Sequence, residues 1–262
     1  MQQSTILDEI VALKRDEVAS RKAQVSLTDL EDAIAGQPRP LNMSGALLGD
    51  RVRLIGEIKK ASPSKGLLCP DFDPSRLAST YVENGAAAIS VLTDPRFQGC
   101  LEHMSEVKAV TSSHGTPTLR KDFVFDSYQV YESRSWGADA ILLIVAILDP
   151  AQLKELIGLA RHFWMQCLVE VHTPEEMGTA LDAGAEIIGI NNRDLRTFHT
   201  DIDVTRKLAG QVPRGKVIVS ESGISTAEHI RELKGMKVNA ALVGEAIVTA
   251  PDVGAKVREL AG

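Results

Sequence analysis

Eight short apolar runs, each separated from the next by a stretch of helical periodicity, constrain this chain more than any other feature of it. The runs are 52–58, 88–92, 118–120, 140–145, 167–171, 187–190, 217–220 and 240–243. Between them lie amphipathic stretches such as 74–84, 127–136, 150–163, 174–183 and 226–233, several opening on the Pro, Ser or Thr that starts a helix. Gly85, Gly137 and Gly184 follow three of them, where a helix-ending glycine is expected. The phrase Gly-Ala-x-x-Ile then recurs at 85–89, 137–141 and 184–188, one local solution used repeatedly. Strand alternating with helix demands a parallel sheet with helical crossovers, either open or closed. An open dinucleotide-binding sheet wants Gly-x-Gly-x-x-Gly after its first strand, but that loop reads Ala61-Ser62-Pro63-Ser64-Lys65-Gly66. Eight units with polar residues at many strand ends favour closure, so the predicted class is α/β, a (β/α)8 TIM barrel.

Composition sets the outer bounds. A barrel of this kind needs about 250 residues, and the 262 present are read as a single domain, 1–262. Residues 1–50 precede the first strand and form an N-terminal helical extension: Ile6, Ile10, Val11 and Leu13 recur at helical spacing, and Ser26 opens a second short helix. Hydrophobic content of 44% supplies a core, and a net charge of -6 argues against a general nucleic-acid surface. Cys69, Cys100 and Cys167 are widely spaced and odd in number, which suggests neither a disulfide framework nor a zinc site and fits a reducing cytoplasm. No secretory signal is read in the N-terminus, with Asp8 and Glu9 early in it. The longest apolar run, 140–148, is too short for a bilayer and reads as a strand buried on both faces.

In a barrel the chemistry lies at the C-terminal ends of the strands. Glu57 and Lys59 are two residues apart on the first strand and therefore share a face. Alone they would read as an ordinary ion pair, but further strand ends bring Lys121, Glu170, Asn191, Arg193, Glu221 and Ser222 to the same mouth. Three carboxylates and two lysines are costly to desolvate unless they pair, so their convergence points to function rather than stability. Ser222 and Gly223 after the seventh strand, and Gly244 and Glu245 after the eighth, stand where barrels hold phosphate through loop amides. Lys59 or Ser62 is a candidate to complete that shell from the other side. No metal cluster or nucleophilic triad is apparent, and His172 is read as a residue behind the site or in a loop. Such a set suits acid/base chemistry on an aminated sugar phosphate, with no metal and no cofactor.

The run Glu57-Ile58-Lys59-Lys60-Ala61-Ser62-Pro63-Ser64-Lys65-Gly66 closely resembles the signature of the indole-3-glycerol-phosphate synthase family. The resemblance continues through Leu119-Arg120-Lys121-Asp122-Phe123, Leu168-Val169-Glu170-Val171-His172, Gly189-Ile190-Asn191-Asn192-Arg193-Asp194-Leu195, Ser220-Glu221-Ser222-Gly223-Ile224 and Val243-Gly244-Glu245-Ala246. It implies a carboxy-lyase of tryptophan biosynthesis that closes the ring of 1-(2-carboxyphenylamino)-1-deoxyribulose 5-phosphate with loss of carbon dioxide and water. It further implies Lys121 as principal acid, Glu170 as principal base, and Lys59 on substrate charge and the second proton delivery. Glu57 and Glu221 would orient the lysines and hold them charged, and Asn191 would position the substrate. In that family the N-terminal extension packs on the barrel and helps cover the substrate. This sequence departs from the pattern at Gly56, where alanine is usual and little consequence is expected. It departs again in the loop 93–99, one residue shorter and with one aromatic where two are frequent. Two rival readings are a Schiff-base aldolase, which needs a lysine of depressed pKa, and a non-catalytic barrel that merely binds a sugar phosphate.

Overall fold

The computed structural model describes residues 6–194 and 199–262; Leu195, the last residue of one motif above, lies outside them. Eight parallel strands close into a barrel: β1 (Arg53–Ile58), β2 (Ala88–Leu92), β3 (Thr118–Lys121), β4 (Ala140–Ile144), β5 (Gln166–Val171), β6 (Ile187–Asn191), β7 (Val217–Glu221) and β8 (Ala240–Val243). Each strand pairs with its sequence neighbours, and β1 pairs with β8 to seal the ring. The runs read from sequence are these strands within a residue or so. The informative difference is that Lys121, Asn191 and Glu221 are the last residues of their strands, one step inside the ends expected. A ladder holds their backbones, so their side chains leave from rigid rather than looped chain.

Side-chain alternation sorts the barrel wall into two layers. The inward set holds Ile55, Leu119, Leu168, Ile187, Val217, Val219 and Leu242, all buried in one cluster. Moving along the same parity toward the C-terminal ends, these positions become Glu57, Lys121, Glu170, Asn191 and Glu221. The interior is therefore apolar below and charged above. The outward set, with Leu54, Ile89, Ile141, Val169, Ile188 and Ile218, packs in a second cluster shared with the surrounding helices.

The helices between the strands are α4 (Pro74–Glu83), α5 (Leu101–Ser112), α6 (Ser127–Ser135), α7 (Pro150–His162), α8 (Pro174–Asp182), α9 (Asp203–Leu208) and α10 (Ala227–Gly235), with α11 (Glu245–Val248) and α12 (Val253–Ala261) closing the chain. Their starts follow the capping chemistry: Asp73, Asp149 and Thr173 each accept a backbone N–H ahead of a proline. Every helix-to-strand turn contains a residue at positive φ. Gly85, Gly115, Gly137, Gly184 and Gly215 serve five of them, and Trp164 and Lys237 take the same conformation in the other two.

Three helices precede the barrel: α1 (Ile6–Gln24), α2 (Leu27–Ala35) and α3 (Met43–Leu47). The third was not foreseen. Its Met43 and Leu47 join the inward cluster and are fully buried, so α3 fills the apolar interior that the lower strand residues leave. Meanwhile α1 lies at the mouth, where Ile10 lines the cavity described below. Its anchor is Lys14, a fully buried ammonium 2.7 Å from Asp94 and 2.9 Å from Asp122 in the loops after β2 and β3. No helix among the described residues is long and apolar enough to cross a membrane.

Gly56 has more consequence than expected. A Cβ there would stand 2.5 Å from the ring of Tyr81, which is fully buried on α4. The glycine admits the tyrosine to the strand surface, so alanine does not fit this chain without a shift of that ring.

Candidate active site

A cavity of about 660 Å³ opens at the C-terminal mouth of the barrel. Its floor is the charged upper layer of the interior. On β1, the Lys59 ammonium lies 2.8 Å from Glu57 Oε1, confirming that the two share a face. Across the ring, Lys121 Nζ is 3.4 Å from Glu170 Oε2 and 3.5 Å from Glu221 Oε2. Behind Glu170, His172 Nε2 stands 3.5 Å from Oε1. Asn191, the last residue of β6, helps lower the Glu170 pKa, and Asn191 Oδ1 accepts the Arg193 backbone N–H at 3.0 Å. Arg193 donates from Nε to Thr200 Oγ1. Thus Glu57, Lys59, Lys121, Glu170, Asn191, Arg193 and Glu221 all line one cavity.

Two glycines make room for these carboxylates. A Cβ on Gly189 would lie 2.2 Å from Glu221 Oε1, and one on Gly244 would lie 2.3 Å from Glu57 Oε1. Gly244 was expected to let the backbone approach an anion, but the atom it first accommodates is the Glu57 side chain. Gly223 answers to backbone conformation instead, following Ser222 at φ 66 with φ 79 of its own.

Burial and charge oppose each other here. Burial would lower the Lys121 ammonium, but Glu170, Glu221 and Glu57 outweigh it and hold its pKa above the ordinary lysine range. Burial would raise Glu57, yet Lys59, Lys121 and Arg193 keep it below the usual carboxylate range. Glu170 behaves likewise, with Lys121 and His172 overcoming its desolvation. In Glu221 burial prevails, reinforced by Glu170 and Glu57, and its carboxyl is pushed up to about 7. Four neighbouring groups therefore divide into a cation, two carboxylates held ionised and one whose proton is shared about equally with neutral solution.

The rest of the wall is apolar on one side and backbone-rich on the other. Leu7 and Ile10 from α1, Phe97 from the loop after β2 and Phe123 from the loop after β3 supply the apolar side. The Lys59 ammonium sits 5.7 Å from the Phe97 ring centre, so the shortened loop still presents its aromatic to the charged floor. The loops after β7 and β8 bring Ser222, Gly223, Gly244 and Glu245, facing Ser64 and Lys65 from the loop after β1. The Glu245 carboxylate pairs with Lys65. Ser62, expected beside the phosphate, is 4% exposed, and its hydroxyl accepts the Lys65 backbone N–H at 3.1 Å. It pins the turn that carries Ser64 and Lys65, because Ser62 pairs antiparallel with Gly66 and turns its side chain into that loop. The contribution of Leu7 went unread, since hydrophobic periodicity marks a buried face without saying what it covers, and those of Ser64, Lys65 and Thr200 because loop residues carry no such period. Among the described residues no group of three or more His, Cys, Asp or Glu is placed to hold a metal ion.

The family model for indole-3-glycerol phosphate synthase matches residues 7–260. A protein of that name from Roseiflexus sp. (strain RS-1) is 50% identical over 265 residues, covering 98% of this chain and 98% of its own length. Another from Dehalococcoides mccartyi (strain ATCC BAA-2266 / KCTC 15142 / 195) is 48% identical over 257 residues, 97% of this chain and 99% of its own. Among solved structures, 3-hexulose-6-phosphate synthase from Salmonella typhimurium aligns with a TM-score of 0.63 at 15% identity, over 80% of this chain and 97% of that one. Thiamine phosphate pyrophosphorylase from Pyrococcus furiosus aligns with a TM-score of 0.62 at 19% identity, over 84% and 96%. At those identities the structural likeness speaks for the barrel alone.

Proposed function

This chain belongs to the indole-3-glycerol phosphate synthase family, and we propose that its cavity closes the indole ring of 1-(2-carboxyphenylamino)-1-deoxyribulose 5-phosphate. The reaction forms a carbon–carbon bond between the aromatic ring and the substrate ketone, then releases carbon dioxide and water. The observation that carries this reading is the Lys121 ammonium held between Glu170 and Glu221, 3.4 Å and 3.5 Å away, on the floor of the cavity.

As the aromatic carbon attacks, negative charge grows on the ketone oxygen, and Lys121 is the cation placed to meet it. An ammonium of raised pKa is a weak acid, but an alkoxide is a stronger base still, so transfer to the developing oxyanion runs downhill. Loss of carbon dioxide from the ring restores aromaticity. Dehydration then needs a second proton on the departing hydroxyl and a base to take one from the adjacent carbon. Glu170, kept ionised, is that base. Lys59, against Glu57 and beside Phe97, pairs with the substrate's ring carboxylate and supplies the second proton. Asn191 helps keep Glu170 ionised, and Arg193 with Thr200 borders the sugar. The apolar side takes the aromatic ring, and the loops after β7 and β8, with Ser64 and Lys65, take the phosphate.

Incubating the protein with this substrate and following fluorescence tests the reading. Indole fluorescence should appear together with one equivalent of carbon dioxide. An inert substrate, or one trapped on a lysine by borohydride, would contradict it; trapping would assign a Schiff-base mechanism.

A further inference from the structure

Lys121 sits almost equally far from Glu170 and Glu221, at 3.4 Å and 3.5 Å. Both carboxylates are 1% exposed. A single cation so placed does not choose between them, and two like charges this close oppose each other's ionisation. Yet a base and a proton holder have to be told apart. The asymmetry lies behind Glu170. Its second oxygen faces His172 Nε2 at 3.5 Å. Among the described residues Glu221 has Lys121 as its one ion-pair partner, where Glu170 has both Lys121 and His172.

The imidazole is itself held in place. Glu176 Oε2 accepts the His172 backbone N–H at 2.6 Å and lies 3.2 Å from Nδ1. Glu176 stands in the first turn of α8, behind the Thr173 cap. This double contact puts a proton on Nδ1 and aims Nε2 at Glu170. The charged groups that face the ring are Glu170 on its own strand, Glu176 on α8 and Glu221 on β7. The other elements against it, β4 and the turn Val145–Ile147, carry no titratable residue. Three carboxylates thus face the ring, and the Lys121 ammonium lies against two of them.

We infer that His172, oriented by Glu176, is the positioning residue that makes Glu170 rather than Glu221 the ionised carboxylate of the site. As an imidazolium it donates from Nε2 to Glu170 Oε1, stabilises the negative form and leaves the shared proton to Glu221. The electrostatics run the same way. Burial lowers the His172 pKa, but Glu176 and Glu170 outweigh it and raise the net value.

This inference rests on Glu170 being the base of the proposed reaction, so its test is made without substrate. Carboxyl-13C glutamate NMR follows each side chain through a pH titration, with the Glu221→Gln variant assigning the Glu221 signal. In the wild type Glu170 should ionise at lower pH than Glu221. In His172→Gln the Glu170 midpoint should rise by about one to three pH units, the effect of losing an adjacent opposite charge. The interval between the two midpoints should narrow with it. Glu176→Gln should move it the same way by less, and it decides the matter if His172→Gln does not fold. With substrate, the acidic limb of kcat should move up by the same amount in a variant of unchanged circular dichroism, while KM stays near wild type. Ionisation of Glu221 before Glu170 in the wild type would overturn the inference, and so would an unchanged interval in the folded variants. If the titration behaves as expected but no indole forms, the proposed reaction fails and the role of His172 in ordering the two carboxylates stands.

Discussion

Two groups of charges meet near the mouth of this barrel, and they are built on different terms. The first lies under α1. Lys14 contacts Asp94 at 2.7 Å and Asp122 at 2.9 Å, while Arg120 contacts Asp122 and Glu132, each at 2.9 Å. Asp122 also accepts from Thr93 Oγ1 and the Phe123 backbone, so both of its oxygens are in use. The second group is the floor of the cavity. There Lys121 keeps 3.4 Å and 3.5 Å from its two carboxylates, and it is the one ion-pair partner of Glu221 among the described residues. The groups adjoin, since Lys121 and Asp122 are consecutive and point to opposite faces of β3 and the chain beyond it. Burying charge is repaid only when pairing is close and complete. The outward group is paired at 2.7–2.9 Å and fastens α1 to the barrel; the inward group holds Glu57 to Lys59 as closely but keeps Lys121 at 3.4 and 3.5 Å from its carboxylates, looser contacts that a substrate can replace.

The largest effect that sharpens this contrast is on turnover. Glu170→Gln keeps the shape of the side chain and removes the base, so kcat should fall by roughly 10²–10⁴-fold with little change in KM. Near-normal turnover in the folded variant would move the base elsewhere on the floor.

A smaller effect separates Asp122 from Glu221, the inward carboxylate that burial raises, by the sign of its pH dependence. Burial would raise Asp122, but Arg120 and Lys14 hold it well below its ordinary 3.8. The stability it contributes is therefore complete above 3.8 and lost as pH falls through the folded value. Glu221 runs the other way, from an ordinary 4.5 up to about 7. The folded protein keeps a proton that the unfolded chain releases, so this contribution is complete below 4.5 and lost as pH rises toward 7. Urea unfolding across pH should accordingly show Glu221→Gln gaining on the wild type between pH 4.5 and about 7. Asp122→Asn should instead fall further behind the wild type as pH rises toward 3.8, and then by a constant amount. Slopes of the same sign would erase the distinction.

The sequence carried the inward group far better than the outward one, for reasons of geometry. Strand side chains alternate with a period of two, so Glu57 with Lys59, and the terminal positions of β3, β5, β6 and β7, follow once the strands are located. Besides Glu17 on α1, the partners of Lys14 lie 80 and 108 residues away, and nothing in α1 foretells which of its cations reaches them. The same distance hid the packing of Gly56 against Tyr81 and of Gly189 against Glu221. The small antiparallel pairing of Ala61 and Ser62 with Gly66 and Leu67, which sets the Ser62 hydroxyl on the Lys65 backbone N–H, was likewise hidden, because two residues are too few to show a strand period. The α3 helix was missed because five residues, Met43–Leu47, are too few to show a helical period.

The central claim, that the outward charges hold the fold and the inward charges are kept for chemistry, is tested most directly by measuring kcat and unfolding free energy together for Lys14→Met and Lys121→Met. Lys14→Met takes one cation from Asp94 and Asp122, which keep Arg96 and Arg120, and should lose about 1.5–3 kcal/mol of stability, the worth of a hydrogen bond to a charged group, while keeping turnover well above that of the other variant. Lys121→Met should lose roughly 10²–10⁴-fold in kcat and less stability than Lys14→Met, because its contacts at 3.4 and 3.5 Å are looser and Glu221 readily takes up a proton. If Lys121→Met proved the less stable protein, or Lys14→Met the slower enzyme, the division between the two groups would be wrong.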